Sequence, residues 1–468
     1  MGLHTPDQMV WVPDWARRAI FYHIYPLGFL DAPPENSARS AAVPRLANLR
    51  RWYDHIANLG VTAIYFGPVF ESLTHGYDTI DYFQIDRRLG DNALFRQIVG
   101  ELHARGLRVI LDGVFHHTGR DFFAFKDLRE RKRDSPYKDW YFVNWGADSR
   151  YRDGFAYDSW EGHESLPRLN LGNPDTRDYV FQVARMWLGD FGLDGWRLDV
   201  AYLISPEFWW QFRRVCKEVR EDCFLLGEMV GGDYRTWVAP DLLDSGTDYQ
   251  LYKALWSSFN DRNLWELKAV AERAYHPEWG VFHELSLLNF LGNHDVTRIR
   301  SQLADPRHLY PALIALLTLP GIPCLYYGDE VGMDGRADQG HSQVRRPMPL
   351  PEDPWPNADR SLYRETARLV NLRKAHPSLV YGRFAALETG YTTFSFLRQH
   401  PREAAVVAIN AADVPTRLDI PIGREGIPDG VVFTDALDES QPTYRVQGGT
   451  LTIDPLHSNW GRILIANL

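Results

Sequence analysis

Short apolar runs rich in Val, Ile, Tyr and Phe recur along most of this chain, and longer helical patterns separate many of them. Seven such runs begin at Ile20, Ala63, Arg108, Gly195, Cys223, Leu285 and Pro323. Between the second and third runs, residues 94–107 are apolar at helical spacing, and Gly106 predicts the end of a helix. Continuous apolar strands that alternate with helices predict a buried parallel sheet.

A weaker candidate strand, TDYQLYK at 247–253, would bring the number of strands to eight. Eight strand–helix repeats favour a closed (β/α)₈ TIM barrel over an open, doubly wound sheet. The fold class predicted for the chain is therefore α/β, with that barrel as its centre.

Two segments depart from this rhythm. From His117 to about Asn173 the chain is polar and aromatic, which predicts an insertion after the third strand. After about residue 378, short alternating strands such as TTFSFLRQ, AAVVAIN and RVQGGTLTIDP predict a C-terminal antiparallel β-domain. The predicted domains are the barrel (domain A) at 1–116 and 174–377, the insertion (domain B) at 117–173, and a β-sandwich (domain C) at 378–468.

Charge and cysteine content limit the partners and the location of the protein. Fifty-one basic and 61 acidic residues give a formal net charge of −10, which argues against binding to nucleic acid or to anionic membranes. Cys216, Cys223 and Cys324 show no metal-ligand spacing and are typical of buried thiols in a reducing compartment. The first residues lack an apolar signal core, and no run approaches the roughly 20 apolar residues of a membrane span. We therefore expect a cytoplasmic protein without a membrane partner.

Polar residues follow several of the predicted strands directly. In a TIM barrel the functional groups lie on the loops at the carboxyl ends of the strands, so these residues should meet at one mouth. Arg197 and Asp199 alternate within the fourth run and therefore share a face. The candidates are Asp112, His116, His117, Arg197, Asp199, Glu228, His294 and Asp295.

This set suits the hydrolysis of a glycoside. Cleavage of an acetal needs one carboxylic acid to protonate the leaving oxygen, and one carboxylate to attack the anomeric carbon or to activate water. Arg197 would hold the carboxylate of Asp199 ionised and oriented. Each feature alone has a structural explanation, since Arg-x-Asp can be a structural ion pair, Glu228 a helix cap, and Asn293-His294-Asp295 a tight turn. Metal-dependent hydrolysis is a weaker alternative because HExxH and similar two-histidine spacings are absent from the sequence.

Five segments together resemble the α-amylase family of glycoside hydrolases, over essentially the whole chain. Each is weak alone, but their order and spacing are specific. They are DGVFHH at 112–117, GWRLDV at 195–200, GEM at 227–229, FLGNHD at 290–295 and GIPCLYYGDE at 321–330.

The resemblance implies a role for each site residue. Asp199 corresponds to the nucleophile, Glu228 to the general acid/base, and Asp295 to a carboxylate that binds ring hydroxyls and assists distortion of the sugar. The segment THGYD places His75 and Tyr77 where the family has a hydroxyl-binding histidine and a tyrosine that stacks on the sugar. The remaining residues implied to line the same subsite are His117, Arg197 and His294. The insertion and the C-terminal region correspond to the family's B and C domains.

Within the family, SLPRLN at 165–170 and YDTIDYFQID at 77–86 are similar to segments of neopullulanases and cyclomaltodextrinases. The amino-terminal β-domain usual in that group has no counterpart before Ile20, which leaves oligomeric state and cyclodextrin preference open. His116 stands where many amylases have an asparagine that binds calcium. A neutral imidazole is a poor ligand for this cation, which prefers oxygen, so we expect no calcium at His116, no metal site and no required cofactor.

The predicted function is retaining hydrolysis of α-1,4-glucosidic bonds in malto-oligosaccharides or related α-glucans, with cyclodextrins and pullulan as further candidates. A transglycosylase or a sugar isomerase would use the same residues, because an acceptor sugar can replace water in the second step. A non-catalytic carbohydrate-binding relative is the alternative from a different class. The expected partner is an oligosaccharide substrate.

Overall fold

A computed structural model describes residues 11–37, 40–352 and 358–468, so the first ten residues of the range predicted for domain A lie outside it. Eight parallel strands form one sheet in which neighbours in the chain pair with each other, and strand one pairs with strand eight. A parallel bridge between Thr247 and Leu288 joins strands six and seven and closes the barrel. The strands, one to eight, are Phe21–Ile24, Ala63–Phe66, Arg108–Gly113, Gly195–Leu198, Phe224–Gly227, Ser245–Gly246, Leu288–Phe290 and Ile322–Tyr326. The predicted (β/α)₈ fold is confirmed.

Helices surround this barrel, and local sequence signals set their ends. The helix Asn92–His103 begins where the side chain of Asp91 accepts a hydrogen bond from the amide of Leu94, and Gly106 follows it with a φ of 78°. The main helices are Tyr53–Leu59, Asn92–His103, Pro174–Gly189, Pro206–Val219, Tyr249–Asn260, Leu264–Tyr275, Leu309–Thr318 and Arg360–Ala375. Shorter helices are Asp14–Arg17, Pro26–Phe29, Ile299–Gln302, His341–Val344 and Pro377–Tyr381.

The sixth strand lies before the segment predicted for it. Strand six is Ser245–Gly246, and the predicted segment 247–253 forms mainly the start of the helix Tyr249–Asn260. Asp248 caps this helix by accepting a hydrogen bond from the amide of Leu251. Asp248 thus marks the start of a helix, and the prediction of a strand at 247–253 was wrong.

Side chains inside the barrel change from apolar to polar along the strands. Because side chains alternate between the two faces of a strand, residues two apart point the same way. Near the amino-terminal ends of the strands the interior is filled by an apolar layer that includes Phe21, Ala63, Ile110, Phe224, Leu288 and Ile322. Two residues further along four of the strands, the same face carries His23, Tyr65, Asp112 and Arg197, all buried. The barrel therefore has an apolar floor and a polar mouth.

The insertion after strand three contains two short hairpins and one helix. Val143–Asn144 pairs with Ala156–Tyr157, and Ser159–Trp160 pairs with His163–Pro167. The helix Phe123–Arg131, which the sequence analysis did not identify, buries Ala124, Phe125 and Leu128 on one face. An antiparallel bridge between His117 and Arg168 brings the end of the insertion against the loop that follows strand three.

The C-terminal region forms two antiparallel sheets. The first has the strands Arg383–Thr389, Thr393–His400, Glu403–Asn410, Trp460–Asn467, Val432–Asp435 and Thr443–Arg445, and the second pairs Thr416–Ile420 with Leu451–Leu456. The predicted run RVQGGTLTIDP is split between both sheets, because Gly448 and Gly449, each with positive φ, turn the chain within it. Side chains from both sheets share one core, whereas Phe396, Val407 and Ile463 on the other face of the first sheet join the core cluster of the barrel.

Two further sequence expectations concern thiols and membranes. Cys216, Cys223 and Cys324 are free and buried. Among the described residues, no helix is long and apolar enough to cross a membrane.

A network of ion pairs around a buried carboxylate stabilises the amino-terminal end of strand four. Asp194 is fully buried and accepts hydrogen bonds from His103 Nε2, Arg108 Nη1 and the amide of Val109, each at 2.7 Å. Arg220 Nη2 lies 2.6 Å from the same carboxylate. Burial opposes ionisation, but these partners hold the pKa of Asp194 below its ordinary value.

We expect Asp194→Asn to lower the free energy of unfolding by about 1.5–3 kcal/mol, because a buried amide replaces a carboxylate that accepts charge-assisted hydrogen bonds, while its cationic partners remain partly exposed to water. Asp222→Asn is the matched control, since Asp222 contacts Arg108 and Arg220 but is 46% exposed, and this change should cost about 0–1 kcal/mol. Thermal melting of the three proteins measures the difference. A native pKa below the unfolded value means that the stabilisation is lost as pH falls, so the melting curves of wild type and Asp194→Asn should converge in acid. Equal melting temperatures for the two variants at neutral pH would contradict this account.

Candidate active site

The polar residues predicted at the strand ends meet at the mouth of the barrel. Parallel pairing places Arg197 beside Asp112 on strand three and beside Leu226 on strand five. Asp199 follows strand four directly, and Glu228 follows strand five, with its amide donating to the carbonyl of Leu198. Adjacent strand ends thus bring together groups that lie far apart in the sequence.

Arg197 is the centre of this cluster. Its Nη1 lies 2.9 Å from both carboxylate oxygens of Asp112 and 2.9 Å from Oδ1 of Asp199. Its Nη2 lies 2.8 Å from Oε1 of Glu228. Although burial disfavours the cation, Asp112 and Glu228 hold the pKa of Arg197 well above its ordinary value. One guanidinium therefore orients three carboxyl groups.

The environment of Asp199 opposes its ionisation in part. Burial raises the pKa of Asp199 well above its ordinary value, and Glu228 and Asp112 raise it further, whereas Arg197 lowers it. The adjacent arginine, which the sequence predicts to keep this carboxyl ionised, acts in that direction. Its charge is shared among three carboxyl groups, so it does not fully offset the effect of burial on the pKa of Asp199.

Asp295 has the opposite electrostatic environment. Its Oδ2 lies 2.9 Å from His294 Nε2, and its Oδ1 accepts a hydrogen bond of 2.7 Å from Arg345 Nη2. Burial opposes ionisation, but His294 and Arg345 hold the pKa of Asp295 well below its ordinary value. Its side chain is 35% exposed, compared with 7% for Asp199. Asp295 is therefore an ionised acceptor that a ligand in the mouth can reach.

Tyr77 connects the two halves of the site. Its hydroxyl donates to Oδ2 of Asp112 at 3.0 Å and also contacts Nε2 of His294. Its ring stacks on that of His294, with centroids 5.4 Å apart and planes inclined by 12°. His294, Tyr77 and Asp112 therefore link Asp295 to the cluster around Arg197.

His75 and His117 supply imidazoles at the rim and in the wall. His75 is partly exposed, and its backbone carbonyl accepts a hydrogen bond from the hydroxyl of Tyr25 at 2.8 Å. His117 is buried, its Nδ1 lies 3.3 Å from Nδ1 of His116, and its Nε2 has no hydrogen-bond partner among the described residues. Burial lowers the pKa of both His75 and His117, which favours neutral rings at neutral pH.

Three residues of this cluster were missed by the sequence analysis. His23 stacks on Tyr65 with centroids 4.0 Å apart, and the hydroxyl of Tyr65 donates to Asp112 at 3.2 Å. His23 and Tyr65 occupy inward-facing positions within strands one and two, so the period-two alternation of strand residues could have identified them. Arg345 lies in the loop after strand eight, where no periodic pattern marks it.

His116 lies in a buried environment next to a cationic side chain. Burial, together with the nearby cation of Arg168, lowers the pKa of His116 to about 4. Within residues 11–37, 40–352 and 358–468, no group of three or more His, Cys, Asp or Glu side chains could hold a metal ion. A neutral imidazole offers a nitrogen donor, whereas calcium prefers oxygen ligands.

Comparisons with known proteins agree with this architecture. The chain is 34% identical to a cyclomaltodextrinase of a Bacillus species over 428 residues, which cover 87% of this chain and 75% of that protein. It is also 34% identical to neopullulanase 2 of Thermoactinomyces vulgaris, over 79% of this chain and 65% of that protein. Among solved structures, a cyclomaltodextrinase matches with a TM-score of 0.84 and 29% identity, covering 98% of this chain and 79% of that one.

A second similar structure is the cyclic α-maltosyl-(1→6)-maltose hydrolase of Arthrobacter globiformis, with a TM-score of 0.81, 29% identity and coverage of 97% and 99% of the two chains. The model of the α-amylase catalytic domain matches residues 23–348, which include all eight barrel strands except the first two residues of strand one. With a barrel of this topology and these relatives, the chain belongs to the α-amylase family of glycoside hydrolases.

Proposed function

We propose that this protein hydrolyses α-1,4-glucosidic bonds of malto-oligosaccharides or related α-glucans with retention of anomeric configuration. The observation that carries the proposal is the sharing of Arg197 between Asp199 and Glu228 at one buried mouth, with Asp295 more exposed beside them. Two carboxyl groups of this kind, one as nucleophile and one as acid/base, are what double displacement at an acetal requires.

In the proposed first step, Glu228 donates its proton to the glycosidic oxygen while a carboxylate oxygen of Asp199 bonds to the anomeric carbon. The bond between that carbon and the leaving oxygen breaks, and a glucosyl ester on Asp199 forms. In the second step Glu228 accepts a proton from water, the water oxygen attacks the anomeric carbon, and the ester bond breaks. Glu228 then carries a proton again, and the released sugar has the original configuration.

The other predicted residues would hold the sugar. Ionised Asp295 can accept hydrogen bonds from ring hydroxyls, and the unpartnered Nε2 of His117 can donate or accept one. We assign His75, Tyr77, Arg197 and His294 to the same subsite, with Arg197 and His294 also orienting the carboxyl groups. Hydrogen bonds that strengthen as positive charge develops on the sugar would lower the barrier.

The names of the relatives support the substrate class. They include cyclomaltodextrinases, a neopullulanase and maltogenic amylases, all named for α-glucans or their products. We propose that linear malto-oligosaccharides are substrates here, and that cyclodextrins and pullulan are further candidates.

The direct test is to incubate the purified protein with maltotriose, maltoheptaose, a cyclodextrin, pullulan, sucrose and trehalose. We expect glucose and maltose from the maltosides, and proton NMR should show the α-anomer first. Longer oligosaccharides or an isomerised disaccharide without net hydrolysis would instead indicate a transglycosylase or an isomerase. Initial release of the β-anomer would contradict double displacement.

Variants separate catalysis from binding in the same assay. Asp199→Asn should reduce turnover by at least about 10³-fold, because the amide oxygen is a poor nucleophile. Asp222→Asn makes the same chemical change at the opposite end of the barrel and should leave the rate within about twofold. Unchanged turnover in Asp199→Asn would refute the assignment of the nucleophile, and binding without turnover in wild type would indicate a non-catalytic relative.

The pH dependence of kcat/KM should reflect the burial of Asp199. Because its pKa is raised and the nucleophile must be ionised, activity should fall in acid at a pH above the ordinary value of about 4 for aspartate. Asp112→Asn removes a carboxylate that raises the pKa of Asp199. It also leaves the positive charge of Arg197 shared between two carboxyl groups instead of three. The acid limb should therefore move to lower pH by about half to one unit.

Tyr65→Phe is the control for this shift, because it removes the hydrogen bond that an uncharged hydroxyl donates to Asp112 and leaves every charge in place. It should move the acid limb by less than Asp112→Asn does. An acid limb that stays in place, or moves upward, in Asp112→Asn would contradict the electrostatic assignment.

We further propose that activity and stability need no calcium at His116 and no cofactor. Dialysis against EDTA should leave the melting temperature and the rate on maltotriose unchanged, since the imidazole of His116 offers a nitrogen where calcium prefers oxygen, and the described residues contain no group of three or more His, Cys, Asp or Glu side chains that could hold a metal ion. A large fall in melting temperature that added Ca²⁺ reverses would refute this proposal.

A further inference from the structure

The residue after Asp199 has an unusual backbone conformation. Val200 adopts φ 50° and ψ 34°, in the left-handed region. For a β-branched residue this conformation is strained, because the Cβ substituents crowd the backbone. Strain of this kind costs on the order of the energy of one hydrogen bond, and it persists only where surrounding structure enforces it.

The surroundings of Val200 enforce the turn. The amide of Asp199 donates to the carbonyl of Gly113 on strand three at 3.1 Å. The carbonyl of Val200 accepts from the amide of Leu203 at 3.0 Å, and the next carbonyl accepts from the indole of Trp209 at 3.1 Å. Val200 itself is only 4% exposed. Packing and hydrogen bonds therefore fix the conformation.

At this turn the hydrogen bond donated by the amide of Val200 departs from the parallel ladder between strands four and five. Glu228 donates its amide to Leu198, so in a continued parallel ladder the amide of Val200 would donate back to the carbonyl of Glu228. It donates instead to the side chain, with 2.8 Å between the amide nitrogen and Oε2. Glu228 therefore has one carboxylate oxygen on Arg197 and the other on the backbone of Val200.

We propose that Val200 is a positioning residue whose backbone N–H, held in place by the strained left-handed turn that follows it, binds Glu228 and sets the separation between the carboxyl groups of Asp199 and Glu228. The peptide unit between Asp199 and Val200 carries the first group on one side and holds the second through its N–H. A change in that unit therefore moves both groups together. This inference rests on the proposed role of Glu228 as acid/base.

The hydrogen bond also affects proton transfer. An amide donor stabilises a carboxylate more than a carboxylic acid, so it favours release of the proton to the leaving oxygen. The other titratable or charged groups that act on Glu228 are Arg197, Asp199, Tyr65, Tyr202 and Tyr249. Each of these is unchanged by a modification confined to the backbone of residue 200.

The decisive experiment replaces Val200 by the α-hydroxy acid of valine, introduced by nonsense suppression. This change converts the amide into an ester and removes the N–H while it keeps the side chain. The alkaline limb of the profile of kcat/KM against pH should move upward by about one unit, because Glu228 retains its proton more strongly without the donor. An unmoved limb in the folded ester protein would overturn the proposal.

Two side-chain variants complete the test. Val200→Gly keeps the N–H, so its alkaline limb should coincide with that of wild type whatever its rate, and a shift equal to that of the ester would overturn the role of the N–H. Val200→Ala differs from Val200→Gly only by a Cβ, which is unfavourable in a left-handed conformation. Val200→Gly should therefore melt at or above the temperature of Val200→Ala, and the reverse order would refute the strain.

A measurement independent of turnover separates this inference from the proposed function. The infrared band of the protonated carboxyl of Glu228, identified by its loss in Glu228→Gln, can be titrated in wild type and in the ester protein. If wild type hydrolyses no glucoside, the proposed function fails, but a titration shifted upward in the ester protein still supports the hydrogen bond. An identical titration in both proteins overturns it.

Discussion

Arg197 is the interaction on which the site depends. A fully buried guanidinium must be surrounded by acceptors, and here the acceptors are the carboxyl groups of Asp112, Asp199 and Glu228. These residues come from strands three, four and five, so the ion network connects three neighbouring strand ends. The orientation of the proposed nucleophile and acid/base therefore depends on the barrel register as well as on the loops.

The rest of the barrel provides the rigidity that such a cluster needs. Below the polar mouth, apolar side chains fill the interior, and at the opposite end Asp194 binds four donors from three elements. Burying several charges in one cavity is unfavourable, as the raised pKa of Asp199 indicates. The left-handed conformation of Val200 adds a separate cost in backbone strain. Extensive apolar packing elsewhere offsets these local penalties. The site thus combines buried charge and backbone strain within a scaffold whose stability comes from apolar packing.

Much of the fold could be predicted because its signals are local. Seven of the eight barrel strands were evident as apolar runs, and Gly106 marked the end of a helix. The sixth strand was misplaced because it is only two residues long. Its position in the sequence is defined by its pairing with strands five and seven rather than by its own composition. The helix Phe123–Arg131 was missed because its single apolar face is narrow and lies within a polar, aromatic segment.

The sequence by itself determined most of the chemical types at the mouth, because most candidates lie at or just after the end of an apolar strand, and the order of the motifs indicated the family. Only the tertiary structure decided how these groups affect one another. That Arg197 is divided among three carboxyl groups, that Asp199 is more buried than Asp295, and that Arg345 reaches Asp295 from the loop after strand eight all depend on distances between residues remote in the chain. Electrostatic energies vary with separation and burial, and neither quantity is encoded in any local stretch of sequence.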